Sequence, residues 1–386
     1  MLLIYLLLIL AIPIVWFVGY VRFGAPFGRV DPGRVADSAN FADGIFQNPQ
    51  PTALGNSFWD TVKSTYEFMT NGQERRPRPR LAVKAVHPSQ LKRLPAERTV
   101  VTWLGHSALL LQMEGQRWLL DPMLGERVSP VNWFGPKRFC DEPPLVADQI
   151  PDIDVVLISH DHWDHLDYPT IKAIHERVGK FVTTLGVAAH LEHWGVPADK
   201  ITELDWHESI QLGGIRLTAT PSRHFSGRKR RQLYKTLWAS FVISGTRHRL
   251  FFGSDSGYFP GFREIGEQYG PFDLTMLECG AYSTHWPDIH MFPEQTAAAH
   301  EDLNGSVLLP IHWGAFSLAM HPWREPIERL LKASAERLYP VITPMIGSAY
   351  EVGGPLPQEH WWEKDYCEIP TEEIPNEGVP ETSEAL

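Results

Sequence analysis

His160-Asp161-His162-Trp163-Asp164-His165 is the part of this chain that chemistry constrains most. It reads His-x-His-x-Asp-His and follows the apolar run Val155-Val156-Leu157-Ile158-Ser159. Side chains two apart on an extended chain point to the same side. His160 and His162 can therefore grip one metal while the turning chain offers Asp164 and His165 to a second. Imidazole with carboxylate suits zinc, and less uniquely iron or manganese. The plainer alternative, a solvated polar turn, leaves three crowded histidines without partners.

Working outward, three later runs repeat the same design. Ile215 to Thr220 leads through Pro221-Ser222-Arg223 to His224; Leu250-Phe251-Phe252-Gly253-Ser254 leads to Asp255; Val307-Leu308-Leu309-Pro310-Ile311 leads to His312. Each is an apolar, strand-like run that ends in a metal-binding side chain. Strand ends on one rim of a sheet converge, so candidates that are weak singly gain weight together. Asp255 lies in Gly253-Ser254-Asp255-Ser256-Gly257, where small neighbours leave its carboxylate room to bridge two ions. Further strand signals are Val100 to Leu104, Ala108 to Gln112 and Trp118 to Asp121, with a turn at Gly115. Helical patterns begin near Pro169 and cover Pro293 to Asp302 and Glu325 to Arg337.

The 386 residues carry a net charge of −11, and 43% are hydrophobic, ordinary for a globular protein. The acidic balance argues against bulk nucleic-acid binding. Cys140, Cys279 and Cys367 are too far apart for a thiolate zinc site or a disulfide framework.

The ends of the chain differ from its middle. Leu2 to Val21 carries no charge and is long enough to cross a bilayer. A cleaved signal peptide is the rival, but Tyr20, Val21, Arg22 and Phe23 stand where small residues should be. Residues 1–22 are thus expected to be a transmembrane anchor in the cell membrane. Arg22, Arg29 and Arg34 follow the span, which places the catalytic domain in the cytoplasm. Residues 23–98 read as a Gly- and Pro-rich linker and a helical region. Within it Ser57 to Thr70 looks helical, and its apolar face either packs on the domain or, beside Arg75, Arg76, Arg78 and Arg80, touches lipid. Residues 99–350 form the expected hydrolase domain, and 351–386 a C-terminal extension. Its last stretch, from Glu368, is rich in Glu and Pro and lacks Lys and Arg, a composition of disorder.

The chain resembles the metallo-β-lactamase superfamily, and within it the N-acylphosphatidylethanolamine-hydrolysing phospholipases D. The likeness runs from about Thr99 to Pro322. Beyond the histidine motif it includes Gly135-Pro136-Lys137-Arg138-Phe139, Glu203-Leu204-Asp205-Trp206, Gly270-Pro271-Phe272-Asp273-Leu274, Gly280-Ala281-Tyr282 and Ile311-His312-Trp313-Gly314. The resemblance implies an α/β fold, an αββα sandwich with two Zn2+ per chain. It assigns His160, His162 and His224 to one zinc, Asp164, His165 and His312 to the other, and Asp255 as the bridge. It further implies hydrolysis of a phosphodiester by water that two metals acidify, with a phospholipid substrate, release of N-acylethanolamine and phosphatidic acid, and a membrane as partner.

Lesser candidates surround this set. His290 corresponds to a family histidine near the substrate phosphate, and Tyr282 is a weaker substrate candidate. Arg228-Lys229-Arg230-Arg231 is either a solvated loop or a mouth that holds anionic head groups. His106 is expected to orient the site, and Asp121 and Asp167 to support ligand histidines from behind. Two other functions fit the same motif: a lactonase or other small-ester hydrolase, and a non-catalytic, zinc-containing lipid-binding protein. Oligomeric state stays open, a homodimer included.

Overall fold

Alternation along the strands builds the central layers of the fold. In a computed structural model of the chain, residues 19–54, 73–87 and 91–363 are described, with Lys63, Tyr66, Glu67 and Thr70. The first strands, β1 (Phe41–Ala42) and β2 (Ile45–Phe46), make a small hairpin in an N-terminal arm. Next come β3 (Val100–Trp103), β4 (Leu109–Met113), β5 (Gln116–Leu120), β6 (Ile153–Ile158), β7 (Val178–Thr184) and β8 (Ile201–Leu204). The second sheet holds β9 (Ser209–Leu212), β10 (Ile215–Thr220), β11 (Ser240–Ser244), β12 (Arg249–Phe252), β13 (Leu274–Glu278) and β14 (Leu308–Ile311). The last strand, β15 (Ala349–Glu351), returns to pair with β3, giving orders β15-β3-β4-β5-β6-β7-β8 and β14-β13-β12-β11-β10-β9.

The central strands are buried on both faces. Leu109, Leu111, Met113, Trp118 and Leu120 join one core with Leu217, Phe241 and Phe251 of the second sheet. Their neighbours Leu110 and Leu119 join a separate core with Ile171, Ile174 and Leu191. The period of two therefore assigns alternate side chains to opposite faces. The outer core of the first sheet is closed by α1 (Tyr168–Ile174) and α2 (Ala188–His193). On the second sheet, α3 (Gly261–Tyr269), α4 (Pro293–Asp302) and α5 (Glu325–Ser334) bring in Phe262, Ala297, Ile327 and Leu330. The result is an αββα sandwich.

Strands β12, β13 and β14 run parallel, and β10 runs the same way because two antiparallel pairings separate it from β12. The residues after β10, β12, β13 and β14 therefore leave one rim of the second sheet, and β6 of the first sheet delivers His160 beside them.

The expected membrane anchor, and with it the place in the cell membrane, is not upheld. Among the described residues no helix is long and apolar enough to cross a membrane. Residues 1–18 of the apolar segment lie outside the described ones, and Gly19 to Phe23 are helical, the helix ending before Gly24. There the chain turns through Ala25–Phe27, with Pro at the first turn, and Phe27 buries its ring. Most of the helix expected over Ser57 to Thr70, and the tail from residue 364, also lie outside the described residues.

Candidate metal centre

Two loops and three strand ends build the site. After β6 the chain extends through Ser159 and turns tightly, the backbone N–H of His165 and of Leu166 both donating to His162 O (3.2 and 2.9 Å). That turn brings four side chains of one hexapeptide inward. His224, Asp255 and His312 reach the same place from the second sheet. His160, His162, His224 and Asp255 form one group whose ligand atoms lie within 4.8 Å of one another; Asp164, His165 and His312, with His106, form a second on the same criterion. Asp255 faces both, its Oδ2 standing 3.6 Å from His224 Nε2 and 3.1 Å from His165 Nε2, and its Oδ1 3.2 Å from His312 Nε2.

These residues fit divalent cations. Four donors about 2.0–2.1 Å from a tetrahedral zinc stand roughly 3.3–3.4 Å apart. His162 Nδ1 and His224 Nε2 are 3.2 Å apart, and His312 Nε2 and Asp164 Oδ2 3.3 Å. Among the described residues, Nε2 of His160 and of His165 are buried without a hydrogen-bond partner, a costly arrangement unless a cation takes the lone pair.

Charge tells the same story. Burial holds the imidazoles of His160 and His224 well below their ordinary pKa, keeping them neutral, the form that can coordinate a metal. Burial also opposes charge on His165 and His312, but the Asp255 carboxylate, with Asp164 beside it, outweighs burial. It holds His165 well above the ordinary value and pushes His312 up to about 10. The same negative field is what a cation between these groups would neutralise.

The supporting contacts fix which nitrogen faces inward. His165 Nδ1 donates to Asp121 Oδ2 (2.7 Å), and His224 Nδ1 donates to Ile289 O (2.8 Å), so both present Nε2 to the site. Asp121 also accepts from Ser159 N (2.8 Å) and Ser159 Oγ (2.6 Å). His106 Nε2 donates to Asp164 Oδ2 (2.9 Å), and His106 O accepts from His312 N (3.0 Å). His106, Asp121, Ser254 and His312 all have positive φ, from 40° to 64°. Left-handed non-glycine backbone costs roughly 1–3 kcal/mol per residue and gathers at functional sites.

Other sequence candidates land elsewhere. Asp167 caps α1, accepting from Thr170 N (3.2 Å) and Gly125 N (3.1 Å), and supports no ligand histidine. Arg228 is not at the mouth of the site. It is buried under the histidine motif, NH1 donating to Asp161 O (2.9 Å) and Leu166 O (2.7 Å), with its guanidinium 3.8 Å from the centre of the Trp163 ring. Lys229 is half-buried, and Arg230 and Arg231 are exposed. Tyr282 turns away from the metal ligands: its hydroxyl donates to Glu325 (2.6 Å) and its ring stacks on His321. His290 does reach the site. It lines a cavity of about 340 Å3 together with His162, Asp164, Asp255 and His312.

Two further residues escaped the sequence reading. Glu278, at the end of β13, is fully buried, accepts from His290 Nδ1 (2.6 Å) and Ser256 N (2.7 Å), and stands 3.8 Å from His312 Nδ1. Burial pushes its carboxyl up from the usual range. The signal was present, because Leu274-Thr275-Met276-Leu277 is one more apolar run that ends in a carboxylate. Asp161, the second residue of the motif, pairs with buried His190 (3.0 Å) and accepts from Gly227 N (2.6 Å).

Four-layered sandwich and paired His/Asp groups define a metal-dependent hydrolase of the metallo-β-lactamase type. The chain belongs to the beta-lactamase superfamily, whose domain model ("Beta-lactamase superfamily domain") matches residues 116–313. It is similar to an uncharacterized protein of Mycobacterium tuberculosis, 42% identical over 330 residues, 84% of this chain and 87% of that one. It is also similar to N-acyl-phosphatidylethanolamine-hydrolyzing phospholipase D 1 of Caenorhabditis elegans, 32% identical over 243 residues, 59% of this chain and 68% of that one. Among solved structures, an isothiocyanate hydrolase from Delia radicum gut bacteria superposes with a TM-score of 0.52 at 18% identity, over 65% of this chain and 98% of that one, a likeness of fold alone.

Proposed function

We propose that this protein is a two-metal phosphodiesterase that hydrolyses N-acylphosphatidylethanolamine, or a related glycerophospholipid, to N-acylethanolamine and phosphatidic acid. The observation that carries the reading is the composition of the cavity. Its floor is His162, Asp164, Asp255, His290 and His312, and its walls are Leu54, Phe225, Leu233, Trp286, Ile289 and Leu318. A polar, metal-binding floor under apolar walls suits a substrate with an anionic phosphodiester joined to hydrocarbon. The similarity to the nematode phospholipase D supports the same choice.

His160, His162 and His224 would hold one cation, Asp164, His165 and His312 the second, with Asp255 between them. Two such cations acidify water and neutralise charge on the phosphoryl oxygens. The chain's own residues supply the positioning. His290 Nδ1 donates to Glu278, which leaves Nε2 as the nitrogen of that ring that can face the substrate. In the reaction the water oxygen bonds to phosphorus, the bond from phosphorus to the ethanolamine oxygen breaks, and that oxygen takes up a proton.

The test is a product assay on metal-analysed protein, with N-acylphosphatidylethanolamine and an acyl lactone offered in parallel. The expected result is release of N-acylethanolamine, abolished by a chelator and restored by zinc. Opening of the lactone alone would overturn the substrate assignment in favour of a small-ester hydrolase.

A further inference from the structure

The N-terminal arm precedes the residues matched by the family model, yet it is seated on both loops that form the first metal group. One side chain carries the closest contact. Asn48 Nδ2 donates to His224 O (2.7 Å) while His224 N donates to Asn48 Oδ1 (3.0 Å). A single amide thus satisfies both backbone groups of a candidate ligand, which its paired donor and acceptor allow. The next residue back is held as well: Arg223 donates to Pro51 O (2.8 Å) and Thr52 Oγ1 (3.1 Å), and its guanidinium pairs with Asp288 (2.9 Å). Asp288 in turn accepts from Ala53 N (2.9 Å). One residue further on, Leu54 enters the wall of the cavity.

Earlier in the arm the histidine motif is gripped from the other side. Arg228, which holds the carbonyls of Asp161 and Leu166, also donates through Nε to Pro26 O (2.9 Å). Phe27 packs edge-on against Trp163 at 5.2 Å, and Trp194 Nε1 donates to Ala25 O (2.7 Å). Gly28 passes so close that a Cβ there would lie 2.1 Å from His190 Nδ1. Between these two grips the arm is anchored away from the site. Phe46 is buried with Val35, Leu237 and Trp238, and Ser38 and Asn40 donate to Asp205 at 2.6 and 2.8 Å.

We propose that residues 25–54 are a built-in strap of the metal centre, and that Asn48 is a positioning residue for His224. The proposal rests on the ligand set put forward above and is independent of the substrate. With both backbone groups of His224 captured, rotation about its backbone is restrained and Nε2 stays opposite His162 Nδ1. Without the amide, those two groups turn to water and the imidazole loses its fixed approach.

The test is titration of the apo form of the full-length protein with Co2+, following the visible ligand-field bands, in four versions: parent, Asn48→Ala, Asn48→Asp and Asn40→Ala. Asn48→Ala should weaken one of the two binding steps about ten-fold or more, the size usual for a lost supporting contact, and leave the other step in place. Asn48→Asp keeps the acceptor for His224 N and should lose less. Asn40→Ala loosens the strap at Asp205 without touching a ligand loop and should bind like the parent. Equal affinities for Asn48→Ala and parent would overturn the proposal, as would an equal loss in Asn40→Ala, which would make the arm a general stabiliser. A parent that binds no cobalt would instead refute the ligand set itself.

Discussion

The two metal groups are built from the same residue types but supported differently. The group with Asp164, His165 and His312 is braced entirely from inside the sandwich. Asp121 and Ser159 lie behind His165, and His106 holds Asp164 and the backbone of His312. The group with His160, His162 and His224 leans on a segment outside the matched domain, through Asn48 and the Arg228 bridge to Pro26. A ligand at the root of a strand inherits rigidity from the sheet. His224 stands four residues beyond the end of β10 and needs other partners to hold it.

That contrast can be broken in several places. The largest effect is expected where the groups meet. Asp255→Asn should empty both pockets and lower activity by more than ~100-fold, with a circular dichroism spectrum like the parent's. Full activity in that variant would refute a shared carboxylate. Asp121→Asn should act chiefly on the second group, weakening its metal by roughly 10–100-fold, with a smaller change in the other step of a cobalt titration, because the Ser159 hydroxyl that Asp121 holds also meets His160 Nδ1 (2.9 Å). Equal loss from both groups would mean that the two are one coupled unit. A smaller effect is expected at the wall. Leu54→Ala removes apolar surface worth about 1 kcal/mol, near five-fold, and should raise KM for a long-chain substrate more than for a short-chain one. An equal rise for both would remove Leu54 from substrate selection.

The last prediction concerns a histidine outside the site. Burial holds His300 down at about 3 against an ordinary 6.5, and its Nδ1 meets Thr275 Oγ1 at 2.7 Å. Between those pH values the unfolded chain binds a proton that the folded chain refuses. The stability that neutral His300 contributes is therefore complete above pH 6.5 and is lost as pH falls toward about 3. Denaturation followed across this window should show a shallower decline in His300→Gln than in the parent, and chelation should leave the difference between them unchanged. A difference that vanishes on chelation would tie the effect to the metal centre instead.

Much of the site was legible because its ligands sit at the ends of apolar runs. Residues 215–220 and 293–302 appear as expected, and the strands before His160, Asp255 and His312 differ only at their margins. Other strands escaped notice for local reasons. β9 alternates exposed and half-buried residues, and β8 is mostly half-buried, so neither shows an apolar run. Arg228 was misplaced because four adjacent basic residues look alike in sequence; the Trp163 and Trp194 rings, the carbonyls of the histidine loop and that of Pro26 draw one of them inside.

Taken alone, the sequence determined the fold family and pointed to a candidate set of metal-binding side chains, because metal coordination demands particular side chains and strands display them with a short period. Tertiary structure alone decided what holds those ligands. Asn48, Asp121, Glu278 and Arg228 act through contacts between residues 12 to 202 positions apart. Buried polar groups must find partners wherever the packed chain brings them, and no local pattern records which partner that will be.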